Sequence, residues 1–365
     1  METLYERILL IQLGDIGDVI LTLPVVQALR DNYPLSCIVV CVRKKARDIM
    51  DDCPWVSEVM DIPQPSGPLK ERINCHINWF KRLRRYRFNL AIDLRTGTRG
   101  AIIAGLSGAA TRIGRFSEDG GLWRNRIFTR LVHPPPDELD QYASEHNLNI
   151  LSPLQLHIRN HLPRINVPSY RKQSVKGLFR NSAVPSDKPI VVVHPFSLWQ
   201  YKEWQVESCA ELIDDIQLRY GVAVVITGSA EERSRAEQVV NRCQTMPFNL
   251  AGYTSVGELA AVLETSCGFI GVDTAALHLA AAAGIPTLGI FGPSSINCWA
   301  PRGDHHHVVF KDMPCVPCRR KGCNDSEISR CLKELTVDDI REKLYRFMEE
   351  ITRTSGIRIN GQGVF

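Results

Sequence analysis

Short apolar runs alternate with polar turns and amphipathic segments along most of the chain. Residues 8–13 are almost wholly apolar, Gly14-Asp15-Ile16-Gly17-Asp18 is a polar turn, and residues 19–31 carry apolar side chains at helical spacing. Pro24 falls inside that segment, so a helix beginning near Thr22 fits equally well. Residues 37–42, 59–62 and 90–94 predict further strands. The same grammar restarts with strands at 190–193 and 222–227 and helices at 204–220, 231–242 and 256–264. Residues 269–293 then read as strand, polar turn Asp273-Thr274, a helix of small residues, and a second strand. An amphipathic helix is predicted over 336–352.

This alternation predicts an α/β protein with two doubly wound, Rossmann-like parallel-sheet domains facing a central cleft. Pro163, Pro168, Pro185 and Pro189 interrupt the pattern among polar and basic residues. The expected division is therefore a first domain over 1–165, a linker over 166–189 and a second domain over 190–335. A C-terminal helix over 336–354, packing back toward the first domain, and a loose tail over 355–365 complete it. Ligands of such sheets bind outside the carboxyl ends of the strands. The polar turns at those ends are 15–18, 197–202, 228–232 and 273–274. A helix starting at Asp273-Thr274 presents free backbone N–H groups and a positive dipole end, which suits phosphate. An ordinary capped βαβ unit fits that stretch equally well.

Composition adds limits. The 365 residues are 44% hydrophobic and 23% charged, with a formal net charge of +4, as in an ordinary soluble protein. No apolar window is long enough to span a membrane. The start of the chain runs into its first strand without a secretory-signal pattern, so a cytoplasmic location is expected. Positive charge is concentrated: Lys81, Arg82, Arg84, Arg85 and Arg87, then Arg95, Arg99, Arg112, Arg115, Arg124, Arg126 and Arg130. Trp79, Phe80, Tyr86, Phe88, Phe116 and Trp123 are interleaved. Two readings stand: a solvated face with ion pairs, or a surface for an anionic partner. No nucleic-acid motif accompanies the patch, which places acidic lipid headgroups or a phosphorylated glycan ahead of nucleic acid. Eight of the twelve cysteines are scattered and read as free thiols. Cys315, Cys318, Cys323 and Cys331 cluster, leaving a structural metal, a redox-labile pair or free thiols open.

Several segments match one family in order. They are residues 8–24, residues 90–94, Leu106-Ser107-Gly108-Ala109, Arg112-Ile113-Gly114, and His194-Pro195 with Lys202 and Trp204. Asn249-Leu250-Ala251-Gly252, Thr254-Ser255 and Glu258-Leu259 follow, then Gly271-Val272-Asp273-Thr274 with His278-Leu279-Ala280-Ala281. On these the chain resembles the lipopolysaccharide heptosyltransferases of glycosyltransferase family 9, from residue 8 to about 350. The resemblance implies a GT-B fold and inverting transfer of heptose from ADP-heptose onto a lipopolysaccharide core or related lipid-linked glycan. It also implies peripheral contact with the inner face of the cytoplasmic membrane. Phe196 departs from the pattern, which usually has glycine there.

An inverting displacement needs a base on the acceptor hydroxyl and stabilisation of the departing diphosphate. The resemblance makes Asp18 the base and Lys202 the diphosphate partner; as plain residues they are also a helix-cap carboxylate and a surface lysine. Asp15, Arg95, Arg99 and Arg115 are expected on the acceptor side. Ser197, Thr274, Ala275, Ala276 and His278 are expected around the donor phosphates, although His278 also reads as a core histidine. Asp273 is expected to orient the donor sugar, Glu231 or Glu232 the ribose, and Tyr253 the base pocket. No Asp-x-Asp metal motif occurs, so no metal is expected to be required. Other nucleotide sugars or acceptors, or a non-catalytic nucleotide- or glycan-binding relative, are the alternatives. A nicotinamide dehydrogenase is disfavoured because Gly14 and Gly17 do not fit Gly-x-Gly-x-x-Gly.

Overall fold

The computed structural model describes residues 5–119 and 121–354, which form two compact units divided between residues 166 and 167. The tail expected over 355–365 lies outside the described residues. In the first unit the strands are β1 (Arg7–Gln12), β2 (Cys37–Val42), β3 (Glu58–Asp61), β4 (Leu90–Asp93), β5 (Thr111–Arg115) and β6 (Arg130–Val132). In the second they are β7 (Ile190–His194), β8 (Ala223–Ile226), β9 (Phe248–Asn249), β10 (Gly268–Val272), β11 (Thr287–Phe291) and β12 (His306–Phe310).

The two sheets have the same plan. The first runs β3-β2-β1-β4-β5-β6 and the second β12-β11-β10-β7-β8-β9, every pairing being parallel. Counted from its own first strand, each is the 3-2-1-4-5-6 order of a doubly wound fold. Central strands such as β4, β7, β10 and β11 are buried throughout, because helices cover both faces of a parallel sheet. The order reverses between β1 and β4 in one sheet and between β7 and β10 in the other. At those points the loops part, and the backbone beyond the strand ends is open to a ligand.

Local boundaries follow from particular residues. The segment after β1 is two helices, Ile16–Ile20 and Leu23–Asn32, with Thr22 as the second N-cap and Pro24 in its first turn. The helix Val206–Tyr220 stops at Gly221, whose φ of +66° is the left-handed conformation that glycine adopts without strain. The segment expected to be a linker contains the helix Ser169–Asn181, which lies in the second unit. There Lys172 pairs with Glu264 at 2.7 Å, and the Ser174 hydroxyl donates to Glu258 at 2.6 Å, fixing it to the helix Val256–Glu264.

The C-terminal helix Val337–Thr354 was expected to pack toward the first domain. Its apolar stripe, Ile340, Leu344, Phe347, Met348 and Ile351, is instead buried in the core of the second unit with Ile216, Tyr220 and Val309. A stripe recurring every three or four residues specifies burial but not the partner.

Candidate functional site

Each unit carries an ion pair at the point where its strand order reverses. In the first unit, β1 ends at Gln12 and the chain turns through Gly14 and Asp15 into the helix Ile16–Ile20. Asp18, in the first turn of that helix, accepts from the Asp15 backbone N–H at 2.9 Å and from Arg95 Nη1 at 2.6 Å. Arg95 follows β4, the strand beside β1. Asp18 is thus both the capping carboxylate and one half of an ion pair closed over 77 residues of chain. The pair is partly exposed, so it adds little stability and chiefly fixes where the carboxylate points. Gln12 holds the turn from below. It donates to Thr22 Oγ1 at 2.9 Å and accepts from Gly14 N–H at 3.1 Å, and Thr22 in turn donates to the Asp18 carbonyl at 2.8 Å.

Gly14 was not singled out by sequence. A Cβ there would lie 2.3 Å from Asp18 Oδ2 and 2.6 Å from Arg95 Nη1, so only glycine leaves room for the pair. Asp15 is turned toward Lys45 at 2.6 Å and Arg43 at 3.3 Å. Burial pushes its pKa up, but the Lys45 hydrogen bond and the charges of Lys45, Arg43 and Arg95 outweigh that and hold the carboxyl below its ordinary range. Arg99 is exposed at the start of the helix Thr98–Ser107. Arg115 is engaged internally, with Glu138 and with the His146 carbonyl at 3.0 Å.

Behind Arg95 sits a buried pair. Asp93 and Arg124 are both sealed from solvent, with Arg124 Nη2 3.8 Å from Asp93 Oδ2. Asp93 Oδ1 accepts the Arg95 N–H at 3.2 Å, and Arg124 Nη2 donates to the Arg95 carbonyl at 2.8 Å. Arg95 is therefore gripped at both its backbone groups. Burial raises the Asp93 pKa to about 7 against the lowering by the Arg95 N–H and by Arg124 and Arg95.

In the second unit the corresponding pair is Lys202 with Asp273, 2.6 Å apart and 71 residues apart in sequence. Lys202 closes the turn Gln200–Lys202 beyond β7, and Asp273 follows β10 directly. Asp273 is 4% exposed. Burial alone would raise its pKa; Lys202, His278 and a hydrogen bond from Ser294 overcome that and lower it. His278 Nε2 lies 4.0 Å from the other Asp273 oxygen. Thr274 is the N-cap of the helix Ala275–Ala282 in extended backbone, without a side-chain cap bond. Thr274 and Ala275 are half-exposed and Ala276 is buried, so small side chains surround the helix start.

The remaining donor-side residues surround this pair in sequence and diverge in structure. Ser197 is buried; its N–H donates to Glu203 at 2.9 Å and its hydroxyl accepts from the Trp199 N–H at 3.3 Å. Of the two glutamates, Glu232 turns in to accept the Ser229 N–H at 2.7 Å and approach Arg235 at 3.6 Å, leaving Glu231 exposed. Tyr253 is exposed, with the Arg233 guanidinium 3.8 Å from its ring centre. His194 ends β7, is buried, and shares a 2.9 Å hydrogen bond with Thr227; burial lowers its pKa to about 4, so it is neutral near pH 7. Phe196, where the family pattern usually has glycine, fills the core under the loop, with Arg235 4.9 Å above its ring.

None of the twelve cysteines is joined in a disulfide. Cys331 is buried and its thiol is pushed up to about 11, by burial first and then by the neighbouring Cys318, Cys323 and Cys315. Among the described residues no group of three or more His, Cys, Asp or Glu side chains is placed to hold a metal ion. Of the clustered cysteines, Cys331 faces the core while Cys315 is exposed.

Residues 77–328, which include Arg95, Lys202 and Asp273, match the family model for glycosyltransferase family 9 (heptosyltransferase). The chain belongs to glycosyltransferase family 9. It is 28% identical over 312 residues to lipopolysaccharide heptosyltransferase 3 of Escherichia coli, covering 81% of this chain and 89% of that protein. The glycosyltransferase family 9 structure from Veillonella parvula superposes with a TM-score of 0.82 at 20% identity, over 96% of this chain and 99% of that one. E. coli heptosyltransferase WaaC, solved with ADP-2-deoxy-2-fluoro heptose, superposes with a TM-score of 0.69 at 18% identity, over 93% and 99%. These likenesses show the two-domain GT-B fold of a family 9 glycosyltransferase. Asp18 lies N-terminal to the matched range.

Proposed function

We propose that this family 9 enzyme transfers a heptose from ADP-heptose, with inversion, to a hydroxyl of a lipopolysaccharide core or related phosphorylated, lipid-linked glycan. The observation that carries the reading is the Lys202–Asp273 pair at the strand-order reversal beside the start of the helix Ala275–Ala282. Lys202 and the backbone N–H groups of Ala275 and Ala276 would hold the donor diphosphate and stabilise its charge as it departs, in the place of a cation. Asp273 would hold Lys202 and meet the donor sugar, and Glu231 and Tyr253 would meet the nucleoside. The WaaC structure's fluorinated ADP-heptose favours ADP-heptose as the donor here too. Asp18 would take the acceptor proton, with Arg95 aiming its carboxylate and Arg99 offering charge to a phosphorylated acceptor. We place the enzyme in the cytoplasm, at the inner face of the membrane that carries such an acceptor; no described helix is long and apolar enough to cross it.

The donor assignment is tested by thermal shift with ADP, GDP, UDP and their sugars. ADP and ADP-heptose should stabilise the protein at concentrations where the other nucleotides do not. Stabilisation by UDP compounds alone would remove the heptosyl reading and leave the fold untouched.

Gly14→Ala tests the aim of Asp18. The added methyl meets the Asp18 and Arg95 side-chain ends and also lies 2.6 Å from Asp18 Cβ, so the first turn of the helix Ile16–Ile20 must shift with them, and Tm is read beside kcat. Moving the base by about 1 Å should lower kcat by on the order of 10²-fold with ADP affinity unchanged. An unaltered kcat would show that the carboxylate need not sit where Arg95 holds it.

A further inference from the structure

The helix Leu69–Arg85 is oddly placed for a helix in a doubly wound domain. Of its seventeen residues only Leu83 is fully buried. Trp79 and Phe80 are half-buried against the core, so the aromatic residues that mark this basic segment in the sequence are largely packing groups. The first ten residues are exposed except for half-buried Cys75. They include Leu69, Ile73 and Ile77, at 69%, 48% and 45% exposure. At helical spacing these three and Phe80 form one stripe. The helix Thr98–Ser107 adds exposed Ile102 and Leu106, and a shallow groove of about 490 Å³ runs between Ile77, Phe80 and Leu106. A contiguous apolar strip left in water calls for an occupant.

The charges around the strip identify its chemistry. The helix carries six cationic side chains and one carboxylate, Glu71. Lys70, Lys81 and Arg85 flank the stripe on one side and Arg72 on the other. Arg82 is paired with Glu58, but among the described residues no ion pair engages Lys70, Arg72, Lys81 or Arg85. Exposed aliphatic side chains framed by unpaired cations match the hydrocarbon and headgroup layers of an anionic bilayer. Single-stranded nucleic acid would instead call for exposed stacking aromatics, and the aromatics here face inward.

We infer that the helix Leu69–Arg85 is a membrane-docking element. It lies along an anionic lipid surface with Leu69, Ile73 and Ile77 among the acyl chains and Lys70, Arg72, Lys81 and Arg85 at the phosphates. This deepens the reading above, in that a lipid-linked acceptor is presented at such a surface, but the helix makes its contact without any residue of the ion-paired sites.

The test is flotation of the full chain with vesicles of phosphatidylglycerol and phosphatidylcholine, against vesicles of phosphatidylcholine alone. The wild type should float with the anionic vesicles and weakly with the neutral ones. Ile73→Ser/Ile77→Ser and, separately, Lys81→Glu/Arg85→Glu should each reduce the bound fraction about tenfold or more. These side chains are exposed, so the thermal shift given by ADP should be unchanged in both variants and reports the nucleotide site independently. Absence of flotation by the wild type, or flotation of both variants at the wild-type level, overturns the proposal while leaving the heptosyl reading in place. A concentration-dependent dimer abolished by Ile73→Ser/Ile77→Ser would also overturn it, assigning the strip to a second copy of the chain.

Discussion

Asp18→Asn should reduce turnover by about 10²- to 10⁴-fold, the range for losing a general base, while the thermal shift given by ADP stays at the wild-type value. The substitution is chosen for what it keeps. The Asp18 carboxylate accepts the Asp15 N–H at the start of the helix Ile16–Ile20, and an asparagine carbonyl can do the same. The charge toward Arg95 is lost, but that pair is partly exposed and contributes little to stability. Asp18→Ala removes the cap as well, so it should lose about 1 kcal/mol of stability and no more activity than Asp18→Asn. Near-wild-type turnover in both variants, with stability lost only in Asp18→Ala, would reduce Asp18 to a helix cap and move the base elsewhere.

That experiment separates two readings the sequence left side by side. A carboxylate in the first turn of a helix after a strand is both a good cap and a good candidate base, and spacing cannot choose. What singles Asp18 out is Arg95, which reaches it because β1 and β4 are neighbours. Neighbouring strands separated by most of a domain are a property of topology, and local pattern carries no record of it. The same holds for Lys202 and Asp273, joined because β7 pairs with β10.

Local order was far more legible. Strands buried on both faces read as apolar runs, so β1, β2, β4 and β7 fall within a residue of their predicted positions. The short strands β5 and β6, with Arg112, Arg115 and Arg130 in them, carry no such run. Helical stripes were legible as stripes but not as buried or exposed. Ile340, Leu344 and Met348 are core, whereas Leu69, Ile73 and Ile77, equally spaced, face outward. Gly14 had no signal beyond being a turn glycine, since its constraint is the space two other side chains need. The buried Asp93–Arg124 pair was hidden by placing Arg124 in a basic patch, where composition read as surface.

Lys202→Ala should weaken ADP binding and lower turnover together, by on the order of 10²- to 10³-fold in rate. It should also destabilise the fold, because Asp273 is left buried without its lysine, a loss of about 3–5 kcal/mol for a broken buried pair. The pH dependence shows which carboxylate is responsible. In the wild type Asp273 is held below its ordinary pKa, so its contribution is present above about pH 4 and lost as pH falls through the lowered value. Without Lys202 only His278 and Ser294 oppose burial, so the folded-state pKa rises and protonation relieves the strain at a higher pH. The gap in Tm between the variant and the wild type should therefore narrow from neutral toward acid pH. Lys202→Met/Asp273→Asn removes both charges, so it should recover most of the stability at neutral pH. If the lysine binds diphosphate, ADP affinity stays low in that double variant although the fold is restored. Recovery of ADP affinity along with stability would mean that the pair only braces the start of the helix Ala275–Ala282, and that the diphosphate is held by other groups.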